Sequence, residues 1–178
     1  MMKREQENHE HLIEIKPAGI IKNANNHLFQ INDWQERAGR MKTHRESLSE
    51  IIIDDELNDA LDGIEDFSHL MIIYWAHLTE DKKHSVRKVH PMGNSEFPLV
   101  GVFATHSPAR PNGLLVSIVE LIERKGNVLT VTGLDALDGS PVLDIKPYSG
   151  ENIDLKSIKV PDWMEKIHDT FKDEHSSE

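Results

Sequence analysis

Two short stretches hold most of the residues able to do chemistry in this 178-residue chain. The first reads Gly101-Val102-Phe103-Ala104-Thr105-His106-Ser107-Pro108-Ala109-Arg110-Pro111-Asn112. The second reads Leu134-Asp135-Ala136-Leu137-Asp138-Gly139-Ser140-Pro141-Val142-Leu143-Asp144-Ile145-Lys146-Pro147-Tyr148. In the first, Pro108 and Pro111 flank Arg110 and hold the backbone extended, so that the guanidinium projects from a stiff loop. A rigidly presented Arg suits carboxylate or phosphate recognition; an ordinary turn with an exposed Arg fits the same residues. In the second, Asp138-Gly139 is a turn by composition, and Asp135 just before it is the better candidate for binding a ligand. Asp144 and Lys146 share a strand face and read as a structural ion pair.

The elements that must present these stretches are short strands. Residues 12–15, followed by Pro17 and Gly19-Ile20-Ile21, predict an opening strand. Residues 23–45, with Trp34 as the main apolar anchor, predict a long loop of the kind that often serves as a lid or binding loop. A strand over 49–53 leads into a helix that starts at Asp54 or Asp55 and stops at Gly63. Residues 67–77 and 114–122 are apolar on both faces and read as strands buried on both sides. The Arg124-Lys125-Gly126-Asn127 turn joins the second of these to 128–132 as a hairpin. A last strand covers 141–146, and Pro161 opens a helix in which Trp163, Ile167 and Phe171 recur every four residues. The expected fold is all-β, a small β-barrel with short helical decorations and a C-terminal helix. Residues 1–10 read as a disordered extension, 11–150 as the barrel domain, and 151–178 as helix and polar tail.

Composition narrows the function. With 20 Lys and Arg against 31 Asp and Glu the net charge is −11, which disfavours general nucleic-acid binding and leaves room only for a local basic patch. No cysteine is present, so disulfides, thiolate zinc sites and cysteine nucleophiles are excluded. That fits a reducing compartment, and the cytoplasm is the expected location. The longest apolar run, 70–76, is far below a membrane span, and the first ten residues lack the apolar segment of a signal peptide. No membrane role is expected. Neither G-x-G-x-x-G nor the phosphate-loop pattern occurs, so the familiar nucleotide cradles are missing.

As a joint pattern the two stretches resemble the TsaA-like family of TrmO type. That family reads G-V-F-A-T-R-S-P-x-R-P-N-P-I-G, then a hairpin, then D-x-x-D-G-T-P-V-L-D-I-K-P-Y. Upstream, Gly63-Ile64-Glu65-Asp66-Phe67-Ser68-His69-Leu70 matches G-x-x-x-F-S-H-L, and Val86-Arg87, Gly93-Asn94 and Ala18-Gly19-Ile20-Ile21 fall in place, so the resemblance covers roughly 12–150. It implies a dimeric β-barrel that binds S-adenosylmethionine (SAM) and methylates N6 of threonylcarbamoyl-adenosine beside the anticodon of certain tRNAs. It also implies cofactor contacts at His77, Leu78, His106, Val116, Gly133, Leu134, Asp135, Ala136 and Leu137, with Ala38 and Gly39 in the early loop. Asp135 would accept from the ribose diol or the ammonium, and Leu78, Val116, Leu134 and Leu137 would wall the adenine. Methyl transfer to a urea-like nitrogen calls for a base, for which Asp138, His69 and His77 are the candidates, with Arg110 beside them as a catalytic cation. Two departures stand out: His106 replaces the family's Arg, and Gly113-Leu114-Leu115 replaces Pro-Ile-Gly.

Two other readings compete. Eleven histidines suggest a cupin-like metal enzyme, although none forms H-x-H or H-E-x-x-H, and His69 and His77 would lie roughly 26 Å apart on one strand; no metal is expected. A non-catalytic SAM- or nucleotide-binding module fits the altered Arg position and the reshaped 113–115 loop.

Overall fold

The computed structural model describes residues 13–24, 36, 39, 43, 47–82, 86–150 and 157–171. The predicted extension 1–10, most of the 23–45 loop and the final tail lie outside these residues. In chain order the strands are β1 (Gly19–Lys22), β2 (Ser49–Ile53), β3 (His69–Trp75), β4 (Lys88–Val89), β5 (Val100–Gly101), β6 (Leu114–Lys125), β7 (Val128–Thr132) and β8 (Pro141–Pro147). Six of them close an antiparallel barrel in the order β1-β2-β7-β6-β3-β8, and β4 and β5 form a separate ribbon. A C-terminal α-helix, α1 (Asp162–Phe171), follows, as Pro161 and the Trp163/Ile167 spacing predict. It shares a groove with Phe97 and Pro98 through Trp163 and Lys166. No described helix is long and apolar enough to cross a membrane.

The period-2 pattern builds the core. Ile21, Ile51, Leu70, Ile72, Val119, Leu129, Val131 and Val142 point inward and are fully or almost fully buried, with Leu134 plugging one end. The other faces correct the sequence reading. On β3, Leu70, Ile72 and Tyr74 are buried, whereas Met71, Ile73 and Trp75 are half-covered and His69 is exposed. On β6, Leu114, Val116 and Ile118 face outward. Alternation failed to show this because the outer face is itself apolar. The opening strand begins only at Gly19; Ile13 and Ile15 are exposed ahead of Pro17, which has no N–H to donate to a ladder. The predicted helix after β2 is a 3-10 helix over Asp55–Leu61, and Gly63 takes up a left-handed φ of 84° beyond it.

Closure rests on β1, which pairs with β2 on one edge and β8 on the other. Gly19 sits where the three strands meet. A Cβ there would collide with the Ile52 carbonyl oxygen and stand 2.9 Å from Ile53 Cα. Register shifts between Leu121 and Glu123 on β6, and between Ile73 and Tyr74 where β3 meets β8, bend the sheet into a barrel.

At one end of the barrel Arg124 ties the 3-10 segments to the β6–β7 turn. Its guanidinium donates to the carbonyls of Leu61 (2.9 Å), Asn58 (3.2 Å) and Gly126 (3.0 Å) and to the carboxylates of Asp62 and Glu65 (both 3.2 Å). A backbone hydrogen bond, and then Arg124, hold the Glu65 carboxyl below the ordinary carboxylate range.

Glu65 therefore binds its proton less readily folded than unfolded. Its contribution to stability is present above the unfolded glutamate value and is lost as pH falls through the lower folded one. In urea titrations, Glu65→Gln should be less stable than the parent at pH 7, and the gap should close as pH drops below about 4; a gap constant down to pH 2 refutes the linkage. Gly19→Ala should cost roughly 1–3 kcal/mol by overpacking at the closing seam. Unchanged urea stability would show that β1 can shift to admit a methyl group.

Candidate functional site

The second chemistry-bearing stretch begins at the opposite end of the barrel from Arg124, and the first runs into β6 at that same end. There β3 ends, β6 begins, and the 133–140 segment joins β7 to β8. Ala76 N–H continues the ladder onto Gly113 O (2.9 Å), and the chain then turns, with Thr79 Oγ1 donating to Ala76 O (2.8 Å). This turn carries His77 and Leu78 to the rim of a narrow cleft that is open to solvent. Tyr74, Ala76 and Leu115 line its barrel side, and Asp135, Ala136, Leu137 and Ser140 its other wall.

The 133–140 segment is irregular yet tightly held. Gly133 adopts φ 84° where it leaves β7, and Gly139 φ 77° in the predicted Asp138-Gly139 turn. Three consecutive carbonyls are engaged. Tyr74 Oη donates to Asp135 O, Asn23 Nδ2 to Ala136 O (3.1 Å), and Ser140 N–H to Leu137 O (3.2 Å). Tyr74 Oη also lies 3.2 Å from Ser117 Oγ. β1 clamps the turn from the far side: Gly139 N–H donates to Ile21 O (2.9 Å) and Ile21 N–H to Ser140 O (3.0 Å). The Asp138 carboxylate accepts from Asn23 N–H (3.0 Å), with Lys22 Nζ 4.0 Å away. His77 is half-buried against this turn, with Nδ1 3.3 Å from the oxygen of the buried Ser140.

Of the residues singled out in the sequence, the cleft brings together His77, Leu78, Asp135, Ala136 and Leu137. Leu78 is 66% exposed, a rim rather than a wall. Leu134 belongs to the core at 0% exposure and Val116 to the outer face at 52%, so neither walls this cleft within one chain. Gly133 packs instead toward Ile118 O and Val119. Gly39 is exposed on a helical turn, and Ala38 lies outside the described residues. His69 stands at the other end of β3, beside Ser68 Oγ (3.0 Å) and across from Glu120. Arg110 does not project; its guanidinium folds back onto Thr105 O (2.6 Å) and Ser107 O (3.0 Å), bracing the loop that carries His106. Asp144 and Lys146 do pair, at 2.5 Å. Among the described residues no group of His, Asp or Glu is arranged to hold a metal.

Sequence reasoning missed Tyr74, Ala76, Thr79, Leu115 and Ser140. A tyrosine on the inward face of a strand was a usable signal, because a buried hydroxyl needs a partner. Ser140 carried none.

Comparison with known proteins agrees with this architecture. Residues 35–154 match the family described as tRNA-methyltransferase O N-terminal domain. A probable S-adenosyl-L-methionine-binding protein of Methanothermobacter thermautotrophicus is 44% identical over 142 residues, 80% of this chain and 93% of that protein. An S-adenosyl-L-methionine-binding protein of Archaeoglobus fulgidus is 41% identical over 137 residues, 77% of this chain and 90% of that one. The crystal structure of TrmO from Pseudomonas aeruginosa superposes with a TM-score of 0.62 at 25% identity, covering 85% of this chain. This chain spans 62% of the length of that TrmO. The match over most of the barrel and the identity to the archaeal relatives place the chain in the tRNA-methyltransferase O N-terminal domain family.

Proposed function

We propose that this chain is a SAM-dependent methyltransferase acting on tRNA, and that its acceptor is N6 of threonylcarbamoyl-adenosine next to the anticodon. The observation that carries the reading is the cleft itself, where His77, Leu78, Asp135, Ala136 and Leu137 converge. The names of the archaeal relatives support SAM as its ligand. The donor set fits: Asp135 supplies an anionic acceptor for a ribose diol or a cationic group, and Ala76, Leu115 and Leu137 supply apolar surface for an adenine. Once bound, SAM supplies an electrophilic methyl group. The chain's contribution is to hold the acceptor nitrogen in line and to keep water out. Arg110 braces the 105–110 loop, and His106 on that loop takes the place of the family's permanent cation on the substrate side.

The cleft encloses its contents incompletely, and a second copy of the chain is the cover we propose. Leu114, Val116 and Ile118 on β6 lie beside Trp75, Ile73 and Met71 on β3, forming one outward apolar stripe. Contiguous exposed apolar surface of this kind marks an association site. The stripe starts at Leu114, next to the cleft residue Leu115, so a homodimer along it sets the SAM site near the interface and brings Val116 close to it.

Calorimetry should detect SAM binding, and Asp135→Ala should weaken it about tenfold or more, since a charge-assisted contact contributes about 1.5–3 kcal/mol. Silence at millimolar SAM rejects the reading. Label from methyl-labelled SAM should then pass into tRNA from cells lacking the endogenous activity; binding without transfer would identify a non-catalytic module. In light scattering the protein should run as a dimer, and Ile118→Lys should yield folded monomer. A monomeric parent rules out the stripe as a seam.

A further inference from the structure

A urea-like nitrogen keeps its proton until something takes it, and three side chains were open as acceptors. Their positions separate them. His69 lies at the end of β3 away from the cleft, with its imidazole beside Ser68. The Asp138 carboxylate faces β1, where Asn23 N–H and Lys22 already meet it. His77 alone of the three lines the cleft.

We propose that His77 is the general base of methyl transfer, oriented by Ser140; this rests on the methyltransferase reading above. His77 Nδ1 lies 3.3 Å from Ser140 Oγ; in the proposed tautomer Nδ1–H donates to that oxygen, which leaves the lone pair on Nε2. Nε2 lies beside Gly139, 3.7 Å from where a Cβ on that residue would stand, so the glycine leaves room for the ring. SAM bound in the cleft would supply the methyl group, its carbon–sulfur bond breaking with the electron pair left on sulfur as the carbon–nitrogen bond forms. The nitrogen's proton passes to Nε2, and the imidazolium later releases it to solvent. Ser140 is a reliable orienter because it is 2% exposed and held by its own backbone to Ile21 and Leu137. The charged groups around the ring are Asp135 across the cleft and the Asp138–Lys22 pair behind the turn. Asp135 also lines the cleft, but an imidazole suits proton abstraction at neutral pH better than a carboxylate does.

The test separates proton transfer from ligand contact. His77→Asn should lower kcat about a hundredfold or more, leave the SAM Kd from calorimetry within about threefold, and abolish the acid limb of the kcat–pH profile. Ser140→Ala should lower kcat by about tenfold with the same Kd. Equal losses in kcat and SAM affinity for His77→Asn would reduce His77 to a cofactor contact, and an unchanged kcat would remove it from the chemistry; either outcome overturns the proposal. A parent protein that transfers no label brings down the methyltransferase reading itself. A parent that transfers label while His77→Asn does so equally well brings down only the base.

Discussion

A barrel of short strands closes only if one strand pairs on both edges with partners from distant parts of the chain, and here that strand is β1, four residues long. Its first residue must lack a side chain, because Gly19 lies against the Ile52 carbonyl where the three strands meet. Its last residues lead directly to the site. Ile21 exchanges backbone hydrogen bonds with Gly139 and Ser140, and Asn23 reaches the Asp138 carboxylate and the Ala136 carbonyl. The turn that presents Ser140 to His77 is thus an extension of the closing seam. Whatever loosens closure also moves the cleft.

The second constraint is that an irregular segment runs through a nearly dry end of the barrel. Residues 133–140 form no ladder of their own, yet Leu134, Ala136, Leu137 and Ser140 are buried, and buried carbonyls need donors. Tyr74 from inside the barrel, Asn23 from the end of β1 and the Ser140 amide supply them one after another. With those carbonyls engaged, the Asp135 carboxylate is the segment's anionic acceptor toward the cleft. The polar residues inside the barrel therefore serve packing and preorganisation together.

How much of this was readable follows from the kind of signal each residue carried. The hairpin at Gly126-Asn127, the strands ending in Thr132 and Pro147, and the Asp138-Gly139 turn all follow from turn chemistry and period-2 burial, which are local. The face of β3 and β6 that points outward was not readable, because Met71, Ile73, Val116 and Ile118 are as apolar as the core residues between them. Val116, which the family resemblance implies as a cofactor contact, lies on this outward face. The β4–β5 ribbon has two residues per strand, too few for any periodicity. Within the site, Asp135 and Leu137 were legible from their motif. Tyr74 and Ser140 act through contacts 61 and 63 residues away in sequence, and only the closed barrel shows them.

The fold also bears on how so acidic a chain could serve the proposed tRNA substrate. How a net charge of −11 acts on a polyanion depends on where the charged groups lie. Asp55, Asp62 and Glu65 gather around Asn127 and Arg124 at the far end of β6. The cleft opens where β6 begins at Leu114, and at about 3.3 Å per residue the two ends are separated by roughly 30 Å. That is several screening lengths at physiological ionic strength, where the Debye length is about 8 Å. A phosphate approaching the cleft meets the Asp135 carboxylate on its wall, while the carboxylates around Arg124 are largely screened from it. Holding the proposed substrate then falls to the shape of the cleft end and, in the proposed dimer, to the partner copy.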